Sequence, residues 1–195
     1  MNEIKQRISK WIDINILHDL INNVKNEYIK TVNVGTSDIF KTIFDKEMYK
    51  LNTIEYRKFE HDRIKDKVLN NKIGYFHEKV LQNCNGWKEY YDYSMDMCNK
   101  SENVFIQIKN KYNTLNSSSM KYLKNQMIKL NNDKPNSTII LGIVNDKISV
   151  NKVFIPHYDN ILKISGKNLY HYITTDINSF DDLTIYLQYY LKRNL

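Results

Sequence analysis

The chain reads as an α/β protein, a central mixed sheet flanked by helices, and three observations predict that class. Thr138-Ile139-Ile140-Leu141-Gly142-Ile143-Val144 is a nearly continuous apolar run, the pattern of a strand buried on both faces. Val104 to Lys109 alternates, with Phe105, Gln107 and Lys109 on one face and Val104, Ile106 and Ile108 on the other. Around these strands, apolar residues recur at helical spacing: Ile73, Phe76, Val80, Leu81 and Cys84 before the first, and Met120, Leu123, Met127 and Leu130 between the two.

The remaining elements follow in order. The first thirty residues divide into two helices, because Ile4, Ile8 and Trp11 share one face while Leu17, Ile21, Val24 and Tyr28 share another. Asp13 stands at the switch, placed to cap the second helix. Gly35-Thr36-Ser37-Asp38 reads as a turn, with Asp38 or Ser37 opening a short helix through Ile39, Phe40 and Ile43. A highly charged helix is predicted from Thr53 to Asn70, followed by the Ile73 to Cys84 stripe, which Asn85-Gly86 ends. Trp87 to Tyr91 and Met95 to Cys98 read as extended chain around a loop. Asn113 to Ser119 is a hydroxyl- and amide-rich loop before the next helix, and Asp133-Lys134-Pro135-Asn136-Ser137 breaks that helix. After the apolar strand, Asn145-Asp146-Lys147 turns into Ile148-Ser149-Val150, and Leu169 to Leu191 returns to helical spacing and closes the core. Residues 1–70 are expected to form an N-terminal helical region and residues 71–195 the sheet-bearing core, within one compact domain.

A length of 195 residues suits one domain, and five Gly and two Pro argue against a flexible multi-module chain. The net charge of +7 permits a polyanionic partner, since each Lys or Arg set against a phosphate releases condensed counterions. Cys84 and Cys98 form no C-x-x-C and no His cluster completes a zinc set, so both read as reduced thiols. No apolar run approaches the roughly 18 residues of a membrane span, and the N-terminus lacks the apolar core of a signal peptide. A cytoplasmic protein without a membrane partner is expected.

The segment Asp96-Met97-Cys98-Asn99-Lys100, then Val104 to Lys111, carries the chemistry. An acid at the end of one strand, a turn, and a strand bearing Q-x-K is the arrangement of a metal-binding hairpin that cuts phosphodiester bonds. Asp96 can give a carboxylate oxygen, Ile108 its backbone carbonyl, and Gln107 a neutral amide oxygen, all hard ligands of the kind Mg²⁺ prefers. Lys109 lies on the Gln107 face, where an ammonium can favour hydroxide and stabilise charge on a pentavalent phosphorus. The bland readings are a turn aspartate and a solvated strand-edge lysine. Glu78, on the helix just before the hairpin, is either a solvated edge residue or a second carboxylate within reach of the metal or its waters. His77 lies within the apolar stripe and reads as a packed core histidine rather than a base.

Ile73-Gly74-Tyr75-Phe76-His77-Glu78, Gly86-Trp87, Asp96, and Gln107-Ile108-Lys109-Asn110-Lys111-Tyr112-Asn113-Thr114-Leu115-Asn116-Ser117-Ser118-Ser119 together resemble a Type II restriction endonuclease family specific for GGNCC. That family belongs to the PD-(D/E)XK nucleases and carries a similar K-N-K-H-N-T-M-N-S-S-S block. The resemblance extends more weakly to Phe44-Asp45 and Ile164-Ser165-Gly166, so it covers most of the chain. It implies a restriction-endonuclease-like core and a Mg²⁺-dependent homodimer, with Mn²⁺ as a substitute ion, cutting both strands of a short palindrome in double-stranded DNA. A two-fold dimer fits such a site because each half-site meets an identical surface. Asp96, Gln107, Lys109 and Glu78 would form the catalytic set, with Asp96, Gln107 and Ile108 on the metal. Lys111, Asn113, Thr114, Asn116, Ser117, Ser118 and Ser119 would face DNA, the N-terminal region would embrace DNA or dimerise, and a cognate cytosine methyltransferase would protect the host. Gln107 stands where the family pattern usually has Glu, and Tyr112 where a His is common. A nuclease-fold DNA-binding protein without catalysis and a structure-selective repair nuclease are the alternative expectations.

Overall fold

The computed structural model describes residues 1–30 and 38–194. Its helices are α1 (Asn2–Ile8), α2 (Ile14–Ile29), α3 (Ile39–Tyr49), α4 (Thr53–Gln82), α5 (Ser117–Asp133), α6 (Lys167–Thr174) and α7 (Ser179–Asn194). Its strands are β1 (Lys88–Glu89), β2 (Met97–Asn99), β3 (Val104–Lys111), β4 (Thr138–Asn145), β5 (Asn151–Ile155) and β6 (Tyr158–Ser165). They fall into two units: Met1–Ile21 with the chain from Phe76 onward, and Asn22–Tyr75.

The larger unit holds a six-stranded mixed sheet in the order β1-β2-β3-β4-β6-β5. Strands β3, β4 and β6 are parallel, and β1, β2 and β5 are antiparallel to their neighbours. The apolar run of β4 lies at the centre, with Ile139 to Val144 buried, as its pattern predicts. On one face of the sheet, Leu123, Met127 and Leu130 of α5 pack with Phe105, Ile139, Leu141, Ile143 and Ile161. On the other, Leu169 of α6 lies over Gly142 and Ile106. Trp87 donates its indole N–H to the Ile173 carbonyl at 3.0 Å, and Arg7 clasps Asp182 with two bonds of 2.6 and 2.7 Å, tying α1 to α7. Cys84 and Cys98 are buried free thiols.

In the smaller unit, Glu60 is buried in a bidentate pair with Arg63. The Thr42 and Tyr56 hydroxyls join α3 to α4 at 2.9 Å. No residue of α3 is buried.

The helix starts follow their caps. The Asp13 carboxylate accepts from the Asn15 N–H at 2.7 Å, and that of Asp38 from the Lys41 N–H at 3.0 Å. The rest of the predicted Gly35 to Asp38 turn lies outside the described residues. Gly86 adopts φ 84°, the left-handed geometry expected after the Ile73 to Cys84 stripe.

Two local expectations are corrected, and one further element had no prediction. The charged 53–70 segment and the following stripe are one continuous helix, because Lys65-Asp66-Lys67 and Asn70-Asn71-Lys72 interrupt the hydrophobic pattern without interrupting the backbone. Ser117-Ser118-Ser119 is not loop but the first turn of α5, with Asn116 as its cap. The chain from Asn151 to Ser165, where the sequence predicts no element, forms a β5–β6 hairpin at the sheet edge, its short apolar runs broken by Lys152, Asp159, Asn160 and Lys163. Among the described residues, no helix is long and apolar enough to cross a membrane.

A methyl group on Gly142 would lie 2.9 Å from a Leu169 methyl and 3.3 Å from Ile106. Gly142→Ala should therefore lower the unfolding free energy by about 1–2 kcal/mol, with Leu169 absorbing part of the overlap. Urea denaturation checks this through a lower midpoint at unchanged slope.

Candidate active site

Strand pairing assembles the site. The antiparallel β2–β3 register sets Met97 opposite Ile106, and the Asp96 N–H donates to the Ile106 carbonyl at 2.9 Å. One step along the same register, Asp96 comes opposite Gln107. Its Oδ2 accepts from the Ile108 N–H at 2.7 Å and from the Gln107 side-chain amide. The same Gln107 nitrogen reaches the Ile108 carbonyl at 3.3 Å. Gln107 is only 4% exposed, so these partners fix its amide.

Helix α4 delivers the second acid. Glu78 and Gln82 lie four residues apart and therefore on one helix face. Gln82 donates to the Glu78 carboxylate at 3.1 Å and to the Asp96 main-chain carbonyl at 2.9 Å. Nothing in the sequence marked Gln82 beyond its spacing from Glu78, and that spacing is commonplace on helices.

Burial pushes the Asp96 carboxyl up to about 6, and the charge of Glu78 adds to the rise. The Ile108 N–H and the charges of Lys109 and Lys79 oppose it. Asp96, Gln107 and Ile108 thus meet directly, Glu78 joins them through Gln82, and Lys109 lies near enough to act on Asp96 by its charge. His77 is not part of it: its Nδ1 meets the Tyr170 hydroxyl at 2.7 Å, and burial drives its pKa down to about 4.

The donor set suits a hard divalent cation. The Gln107 NH₂ lies between the Asp96 carboxylate and the Ile108 carbonyl, the two oxygens expected to bind metal. A hydrogen-bond donor held between two acceptors marks a position of negative potential. For Gln107 itself to ligate, its amide must turn over and present Oε1. Among the described residues no cluster of three or more His, Cys, Asp and Glu forms a metal site. A cation here would rest on mixed carboxylate, amide, carbonyl and water oxygens, as Mg²⁺ commonly does.

Strand β3 leads from this point into the polar block. Lys111, Asn113, Thr114, Asn116, Ser117, Ser118 and Ser119 are all exposed. Thr114 donates its hydroxyl to the Lys111 carbonyl at 2.7 Å, closing the turn after β3. Asn116 caps α5, its Oδ1 accepting from the Ser119 N–H and the Ser118 hydroxyl, both at 2.8 Å. Beside them, Asn110 and Asn145 pair at 2.8 Å across the ends of β3 and β4, and the Lys147 ammonium lies 5.0 Å above the Tyr112 ring. The polar block therefore sits at the carboxyl ends of parallel strands, a usual ligand position in α/β sheets.

The Asp96 shift has a defined sign. Its folded pKa of about 6 lies above the ordinary 3.8, so the folded chain holds this proton more tightly than the unfolded one. That contribution is complete below 3.8 and is lost as pH rises through about 6. Asp96→Asn removes the desolvated charge, and its Oδ1 can still accept from both Ile108 and Gln107. At pH 7.5 without metal this variant should be about 1–3 kcal/mol more stable than wild type, with the advantage vanishing near pH 4. Thermal unfolding across that pH range checks it.

Two curated relatives each match less than half of the chain. A Type II restriction enzyme of Staphylococcus aureus, Sau96I, is 35% identical over 89 residues, which are 44% of this chain and 33% of that protein. The Type II restriction enzyme Eco47II of Escherichia coli is 29% identical over 87 residues, 44% of this chain and 36% of that protein. The chain thus spans about a third of the length of the curated relatives it matches. The Eco47II restriction endonuclease family matches residues 10–194, nearly the whole sequence. With the match extending over sheet, hairpin and flanking helices alike, the chain belongs to the Eco47II restriction endonuclease family.

Proposed function

We propose that this chain is a Type II restriction endonuclease that hydrolyses double-stranded DNA at a short palindrome, GGNCC, with Mg²⁺ or, as a substitute, Mn²⁺. The observation that carries this reading is the meeting of Asp96, Gln107 and the Ile108 carbonyl at one point, with Glu78 and Lys109 adding their charges, on the strand that feeds the exposed polar block. Family membership and two relatives named as Type II restriction enzymes support it.

In this reading Asp96, the Ile108 carbonyl and the turned-over Gln107 amide hold the cation. Bound there, it would polarise the scissile phosphate and acidify the attacking water. Glu78 supplies the second negative charge that Gln107 does not. Lys109 places its ammonium beside the attacking water and the phosphate, where it steadies the developing charge. Lys111, Asn113, Thr114, Asn116 and Ser117 to Ser119 lie along DNA, some positioning phosphates and some meeting base edges. Two copies act as a homodimer, one Asp96, Gln107 and Lys109 set per strand, beside a host-protecting cytosine methyltransferase.

Cleavage of a plasmid bearing GGNCC sites should require Mg²⁺ and should fall at least about 100-fold in Lys109→Ala, while site-specific DNA binding persists. Equal rates for wild type and Lys109→Ala would remove that lysine from the chemistry. Sequence-independent cutting of branched DNA would point instead to a repair nuclease.

The neutral Gln107 favours a second reading, a DNA-binding protein in which this residue weakens or abolishes cleavage. Gln107→Glu should then tighten Mn²⁺ binding about tenfold and raise the cleavage rate. No gain in either would clear Gln107 of that role.

A further inference from the structure

Gln82 is 4% exposed, and its side chain joins two elements: α4, through the Glu78 carboxylate at 3.1 Å, and the Asp96 main-chain carbonyl at 2.9 Å. Its own Oε1 is buried without a hydrogen-bond partner, alongside only Trp11 Nε1 and Ser179 Oγ among the described residues. An unpartnered buried acceptor disfavours folding, and Met or Leu would fill the same space without it. Nor does the Asp96 carbonyl depend on Gln82, since the Tyr90 N–H donates to it at 3.1 Å. Packing and backbone satisfaction therefore leave the presence of an amide at this position unexplained.

We infer that Gln82 is a positioning residue of the cleavage site, holding the Glu78 carboxylate toward Asp96 so that both acids serve one divalent cation. This rests on the nuclease reading above. Both Gln82 bonds run from a single nitrogen, so the Glu78 carboxylate and the Asp96 strand are each within hydrogen-bond reach of one atom. Glu78 sits on a helix side chain with several rotatable bonds, and without this tether nothing else described here fixes its carboxylate. Asp96, by contrast, is already held by the Ile108 N–H and Gln107. Gln82 thus acts on the less tethered member of the pair. Its leftover Oε1 is an acceptor, and the O–H groups of a hydrated cation are donors, so a loaded site brings the kind of partner that this atom lacks. Partners that orient metal ligands typically change metal affinity 10- to 100-fold when removed.

The test is Mn²⁺ binding measured calorimetrically on the DNA-free protein, with Gln82→Met, Gln82→Leu, Glu78→Gln and the Gln82→Met/Glu78→Gln double variant, and thermal unfolding of each. The expected result is an about tenfold weaker Mn²⁺ affinity in Gln82→Met with its Tm unchanged or raised. It includes no additional loss when Gln82→Met is placed on Glu78→Gln, because the amide acts through that carboxylate. Affinity within twofold of wild type overturns the inference, as do additive losses in the double variant. So does a fall of more than a few degrees in the Tm of both Gln82→Met and Gln82→Leu, which would make Gln82 a structural residue. Asp96→Asn separates the two failures. If it binds Mn²⁺ as wild type does, the metal site itself is misassigned; if it loses binding while Gln82→Met does not, only the role of Gln82 falls.

Discussion

Asp96 is a half-buried carboxylate, partly shielded from water yet kept close to donors and cations that favour its charged form. Burial raises its pKa to about 6, while the Ile108 N–H and the nearby lysines hold it there rather than higher. The surrounding architecture follows from this balance. The β2–β3 register sets the acid beside Gln107, the sheet partly shields it from water, and α4 brings Glu78 near enough to add its repulsion. An acid so placed costs the fold stability at neutral pH, a cost that packing alone would not retain. A cation bound there, as proposed, would relieve it by replacing the repulsion with coordination.

Gln107 fits the same logic. A Glu at this buried position would add a second desolvated negative charge beside Asp96, destabilising the metal-free protein. The amide instead donates to Asp96 and leans on the Ile108 carbonyl, so the site is internally hydrogen-bonded. Its consequence is an opposing requirement: the bonds that quiet the site without metal would have to be exchanged for others if the proposed metal bound. Glu78, tethered by Gln82, is then the remaining source of charge in the donor set.

Much of this was legible in the sequence where one physical demand dominates. The β4 run is apolar because both faces are covered, and Asp13 and Asp38 mark helix starts because orphan N–H groups need acceptors. The Asp96, Gln107 and Lys109 grouping was readable because strand alternation fixes which side chains share a face. Legibility failed where exposure removes the constraint. The solvated middle of α4 carries no periodic signal, and the edge hairpin β5–β6 interleaves Lys and Asn with its apolar residues. Ser117 to Ser119 look like loop because hydroxyls suit loops and helix starts equally. Gln82 was invisible since its role depends on a neighbour fourteen residues away in sequence.

Where a cation binds decides whether Asp96 and the Ile108 carbonyl are metal ligands. Crystals grown with Mn²⁺ and site-bearing DNA, examined by anomalous scattering, should show an ion about 2.0–2.3 Å from an Asp96 carboxylate oxygen and from the Ile108 carbonyl, with Gln107 Oε1 turned toward it. An ion lodged elsewhere against the scissile phosphate, with Gln107 still donating to Asp96, would contradict it.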